Sequence, residues 1–198
     1  IVHGPDGTFH MVWTTAWSGR TIGYASSKDL RNWSAQRAIE LFPAGTEVLN
    51  CWAPELLYDA KAKDFAIVWA STIKGKFPET LGKGTRDYNH RLYVTHTRDF
   101  QSFSPAQVVY EPGFQVIDGA MFREGGKLHM IVKNETQNPP AKYLFVASAD
   151  RVDGPWSKPG EPISGPQWAE GPAPLKVGDY WLVLFDRYRD KAWGVIRS

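Results

Sequence analysis

Two acidic residues stand where strands would be expected. Asp118 interrupts the apolar stretch "GFQVIDGAMF" (Gly113 to Phe122), and Glu170 stands second in "AEGPAPL" (Ala169 to Leu175). An ionised carboxylate among apolar neighbours loses hydration at a cost of several kcal/mol unless it is paired or solvated. One explanation is a turn, because Asp-Gly is a common turn dipeptide. The other is a carboxylate kept in a cleft for proton transfer. Two carboxyls placed close together can do this, since the charge of one disfavours ionisation of the other and keeps a proton ready.

The elements that must position these residues form a repeat. "FHMVWTT" (9–15), "FAIVWAS" (65–71), "LHMIVKN" (128–134) and "WLVLFDR" (181–187) read as four similar apolar strands. Each follows a turn and precedes a further strand: "IGYASS", "RLYVTHT", "YLFVASA" and "AWGVIRS". Three of these run into an outer segment: "KDLRNWS", "RDFQSFS" and "DRVDGPWS". Leading strands precede the turns at Cys51–Asp59, Val116–Glu124 and Ala169–Val177. No long amphipathic helix interrupts them. The pattern predicts an all-β chain, a single partial β-propeller over 1–198 with four-stranded antiparallel blades, about three and a half of them. Leading strands line the channel of a propeller. Asp118 lies ten residues before Leu128 and Glu170 eleven before Trp181, so the repeat predicts equivalent places for them on successive leading strands. In the second blade the matching position falls near Ala53, with Glu55 close by. Convergent carboxylates in a pocket favour a functional site over two unrelated turns.

Composition narrows the function classes. The 198 residues are 42% hydrophobic and 22% charged, ordinary for a globular domain. Aromatics make up 14%, including nine Trp, a density that suits sugar-binding surfaces as well as β-rich cores. A net charge of +2 implies no strong field. The basic residues between Lys74 and Arg91 sit in a Gly-containing loop without a basic helix, so neither a nucleic-acid nor a membrane partner is expected. Cys51 is the single cysteine, which excludes a disulfide within the chain and makes a cysteine zinc site unexpected. No apolar run has the length of a membrane span, and "IVHGPDGTFHMVW" shows no leader pattern.

The ordered set "GPDGTFHMVWTT", "IGYASSKDLRNWS", "NCWAPELLYD", "PGFQVIDGAMF" and "AEGPAPL" resembles glycoside hydrolase family 43, over nearly the whole chain. The resemblance implies a five-bladed β-propeller and an inverting glycosidase of arabinofuranosyl or xylosyl linkages in plant-type polysaccharides. By motif, Glu170 resembles the general acid, and Asp118 the carboxylate that tunes and orients it. The family's base is an Asp in an Asp-Pro motif upstream of "GPDGTFHMVW". That motif is not in this sequence, and Asp6 reads as a turn residue. A non-catalytic carbohydrate-binding propeller, or an inactive fragment lacking the base and the last blade, is therefore the alternative. A channel Ca²⁺ is compatible with the family, but no ligand set is visible and no cofactor is expected. Family analogy favours a secreted or periplasmic location.

Other residues fit a carbohydrate partner. Trp52 and Trp168 start leading strands and could wall a subsite or pack in the core. Trp17 follows the first apolar strand and should reach the same mouth. Ile117 adjoins Asp118. His90, in "YNHR", ends an insertion that could fold over the pocket or remain an ordinary loop residue. Glu135 is the rival acid. His10 and His129 lack metal-ligand spacing and should bond locally.

Overall fold

A computed structural model describes residues 1–166 and 168–198. Among them are fourteen strands in four antiparallel sheets, the equivalent of three and a half four-stranded blades. The first blade runs β1 (Val2–His3), β2 (Phe9–Thr14), β3 (Thr21–Ser27), β4 (Arg37–Glu40). The second runs β5 (Trp52–Asp59), β6 (Asp64–Ser71), β7 (Arg91–Thr97), β8 (Gln107–Tyr110). The third holds β9 (Val116–Glu124), β10 (Lys127–Asn134) and β11 (Leu144–Ala149). The fourth holds β12 (Glu170–Val177), β13 (Tyr180–Arg187) and β14 (Ala192–Arg197). This is the expected succession of propeller blades. The third blade has no fourth strand among the described residues, although the segment after β11 still bonds its edge. Ser157, Gly160 and Ile163 each donate a backbone N–H to a carbonyl of Leu144–Ala149.

Burial explains why the second strand of each unit reads as a continuous apolar run. Every residue of β6 after Asp64 is buried, since both faces of the strand are covered by neighbouring blades. Three apolar layers separate the four sheets. Ile22, Tyr24, Leu56, Ile67 and Trp69 fill the first, and Val68, Leu92, Val116, Met121 and Met130 the second. Ile131, Leu144, Val183 and Phe185 fill the third. The outer segments turn on carboxylates: Asp29 accepts the N–H groups of Arg31 and Asn32, and Asp99 those of Gln101 and Ser102. Asp6 likewise closes its turn by accepting from Thr8.

The leading strands β5, β9 and β12 share a feature that the apolar pattern did not show. Each carries a β-bulge, with two residues opposing one on the partner strand. The bulge residues Ala53, Asp118 and Gly171 have φ of 47°, 55° and 57°. Left-handed backbone favours Gly and tolerates Asp better than most residues. Here the structure corrects the expected equivalence of Asp118 and Glu170. Ile117 pairs Lys133 and Ala120 pairs Ile131, whereas Glu170 pairs Asp186 and Ala173 pairs Leu184. Asp118 therefore matches Gly171, and Glu170 matches Ile117 and Trp52. The counts of ten residues from Asp118 to Leu128 and eleven from Glu170 to Trp181 carry this one-residue offset, since Leu128 and Trp181 hold matching places.

Candidate active site

Asp118 and Glu170 still meet, but through the bulges rather than through equivalent positions. The N–H of the bulge residue Gly171 donates to Asp118 Oδ2 at 3.0 Å, which ties β12 to β9 immediately beside Glu170. Burial is the largest influence on Asp118 and pushes its carboxyl up to about 6. Lys133 and the Gly171 N–H oppose that rise, while the charges of Glu170 and Glu135 add to it. The residue expected to tune its neighbour is itself tuned.

Glu170 is held differently. Lys133 Nζ donates to Glu170 Oε2 at 2.7 Å and lies 2.7 Å from Glu135 Oε2. Lys142 Nζ is 2.6 Å from Glu135 Oε1 and also donates to the Glu135 carbonyl at 2.9 Å. The two ammoniums and the Glu135 carboxylate are nearly enclosed, whereas the Glu170 side chain keeps 37% exposure against 10% for Glu135. Exposure separates the two rival acids. Glu135 is occupied on both oxygens by lysines, and Glu170 has one oxygen engaged and an open side toward solvent.

Glu55 lies on β5, three residues after Trp52 and past the bulge. Burial pushes its carboxyl up to about 7, with the Met121 N–H opposing.

An aromatic wall stands at the start of β5. The Trp52 ring lies 4.8 Å from both Tyr88 and His90 and 5.4 Å from Trp17. Trp52 Nε1 and the Tyr88 hydroxyl both donate to the Trp17 carbonyl, at 2.9 and 3.3 Å. These bonds pin the β2–β3 loop, yet the Trp17 residue stays 81% exposed. The indole itself stands edge-on to Trp52 and lies outside the three apolar layers. His90 is 1% exposed. Burial foremost, then the charges of Lys142, Lys133 and Arg91, depress it to about 3, so its ring is neutral. Trp168 forms a second aromatic group, edge-on to Tyr188 at 6.0 Å with the Arg189 guanidinium over its ring. Ile117 differs from the expectation of a sugar contact. It is 6% exposed and packs in the layer between the second and third blades.

The insertion 72–90 is anchored from below by Arg91, which is fully buried. Its guanidinium donates to Asn89 Oδ1, the His90 carbonyl and Thr80 Oγ1, pairs with Glu111, and lies over the Phe77 ring. The insertion then crosses to the third blade, where Gln137 and Asn138 donate N–H groups to the Lys83 carbonyl. Gly84 permits this crossing, because a Cβ there would collide with the Gln115 side chain.

Lys133, Lys142, Tyr88 and Arg91 were not singled out from the sequence. Lys133 had a legible signal: a lysine ending the apolar run "LHMIV" must find a carboxylate if the strand is buried. His10 and His129 bond locally, to Tyr24 and Ser148, as expected. For a channel Ca²⁺ the fit is poor. Such an ion takes six to eight oxygens, whereas the enclosed groups beside His90 include two ammoniums, and no metal-holding group of three or more His, Cys, Asp or Glu exists among the described residues.

Comparison with known proteins assigns the family. A family model described as a probable glycosyl hydrolase domain, related to glycosyl hydrolase family 43, matches residues 5–197. The chain belongs to that family. The glycosyl hydrolase domain is similar in fold to the alpha-L-arabinofuranosidase from Lactobacillus brevis (20% identity, TM-score 0.73), covering 99% of this chain and 65% of that one. It is also similar to the endo-arabinase from Bacteroides thetaiotaomicron (12%, 0.70, 98% and 71%). A xylan beta-1,4-xylosidase from Bacillus halodurans gives 17%, 0.62, 97% and 38%. The domain thus spans under two thirds of the arabinofuranosidase and well under half of the xylosidase. A search of the curated proteins found no match.

Proposed function

We propose that this glycosyl hydrolase domain carries the proton-donating half of an inverting site that cleaves arabinofuranosyl or xylosyl linkages, with a plant-type oligo- or polysaccharide as partner. The supporting observation is the arrangement of Glu170. Its carboxyl is the solvent-accessible member of a buried carboxylate and lysine cluster, tied to Asp118 through the Gly171 N–H. Inversion needs an acid to protonate the leaving oxygen and a base across the ring to activate water. In this reading Glu170 protonates the leaving oxygen. Asp118 holds β12 in place and makes a second negative charge on the pair unfavourable. Trp17 and Trp52 offer ring faces to the sugar, and Trp168 borders the opposite side. The water-activating base lies outside this assignment.

Glu170→Gln tests it in a longer chain that also supplies the water-activating base. The amide keeps the shape and loses the proton. Hydrolysis of arabinosides and xylosides with poor leaving groups should fall by about a hundredfold to ten-thousandfold, and less for aryl glycosides whose leaving groups need little protonation. Equal losses on both kinds of substrate would contradict the role of Glu170. Sugar binding with no turnover by that longer chain would favour the non-catalytic alternative.

A further inference from the structure

The proposed mechanism uses Asp118 and Glu170 and leaves the two buried lysines without a task. Burying an ammonium is costly, and a structural pair would need one carboxylate for each lysine. Here two lysines meet three carboxylates. Lys142 binds Glu135 twice, through Oε1 and the backbone carbonyl. Glu135 holds Lys133 with its other oxygen, and Lys133 reaches across from β10 to Glu170 on β12. Asp118, Glu135, Glu170, Lys133 and Lys142 together carry one negative charge more than positive, so a single proton makes the cluster neutral. The facing groups do not alter that count. His90 is neutral, Tyr188 presents its ring to Lys133 at 4.9 Å, and Arg189 is exposed at the rim. Asp186 is the strand partner of Glu170 on β13, and among the described residues it makes no ion pair with either lysine.

We propose that Lys133 is a positioning residue for Glu170: one ammonium, shared with Glu135 and locked by Lys142, holds Glu170 by a single oxygen and sets the cluster to carry one proton. The free oxygen of Glu170 is left to face the substrate. Glu135 and Lys142 act through Lys133 and touch no substrate. This inference deepens the proposed function and rests on it for its catalytic meaning. Its physical content concerns only this chain's own side chains.

The test is a carboxyl-detected NMR titration of the full chain, which needs no turnover. In Lys133→Met the Asp118 midpoint should rise by about one unit or more, the scale of a lost opposite charge at contact distance. In Glu135→Gln it should fall, because a like charge is gone and Lys133 turns wholly toward Glu170 and Asp118. Lys133→Arg keeps the charge and should restore a midpoint near that of the unaltered chain. A role confined to packing would move the midpoints of both variants alike or not at all. Either result in folded protein overturns the proposal. Should Lys133→Met fail to fold, the direction of the Glu135→Gln shift decides. If the opposite shifts are found while a longer chain that includes the base cleaves no glycoside, the proton-holding cluster stands and the glycosidase reading fails.

Discussion

Asp118→Asn separates the stability cost of the site from its use. Burial raises the Asp118 carboxyl from 3.8 to about 6. A group whose folded pKa lies above its unfolded value binds more protons in the folded state between the two. Stability therefore falls as pH rises through that window. The shift is about two units, and each is worth about 1.4 kcal/mol, so ionised Asp118 costs the fold roughly 3 kcal/mol relative to the protonated form. Asn resembles the protonated side chain and can still accept the Gly171 N–H. At pH 4 the variant and the unaltered chain should be nearly equal in stability. By pH 7.5 the variant should be more stable by about 2–3 kcal/mol, with most of the gap opening between pH 4 and 6.5. Urea midpoints measured across that range give the difference directly, and contributions from titrating groups outside the Asp118 cluster cancel in it. Glycosidase activity should drop in the same variant, the usual exchange of stability for a strained site. Parallel stability curves would refute the reasoning, because they would mean that Asp118 is solvated well enough to titrate as in the unfolded chain.

Trp17→Ala should weaken binding of arabino- or xylo-oligosaccharides, measured by calorimetry, while stability stays within about 0.5 kcal/mol because the residue is 81% exposed. Arg91→Met should cost about 1–3 kcal/mol by leaving the buried acceptors Asn89 Oδ1 and the His90 carbonyl without their donor, and protease should then cut first between 73 and 89. Trp193, Val195 and Leu175 are 73%, 60% and 54% exposed and share one face of the fourth blade by register. The 198-residue chain should scatter light at high concentration, and Trp193→Ser with Val195→Thr should reduce this.

The sequence by itself determined the blades. Period-two and continuous apolar runs report burial on one or both faces, and their recurrence with turns between them admits few folds other than a propeller. It also marked Asp118 and Glu170, since a carboxylate beside buried apolar residues must be paired, solvated or used. Motif order carried the family. The counts to the next strand, ten from Asp118 and eleven from Glu170, already held the one-residue offset between them; what they could not show was the bulge that all three leading strands share. A bulge inserts one residue, and a one-residue slip moves a side chain to another place without changing the apolar pattern. So Glu170 matches Trp52 and Ile117, Asp118 matches Gly171, and the two carboxylates meet because an N–H of one bulge bonds the side chain of another. Ile117 shares the register place of Trp52 and Glu170, yet packs in the layer between the second and third blades. Only the tertiary structure decided which charges are paired. Lys133, Lys142 and Glu135 are distributed over β10 and the loop that follows it, and Glu170 belongs to the next blade. The order in the chain does not reveal that four such groups meet in one enclosed cluster, because ion pairing depends on distances across blades and on how far water is excluded from them.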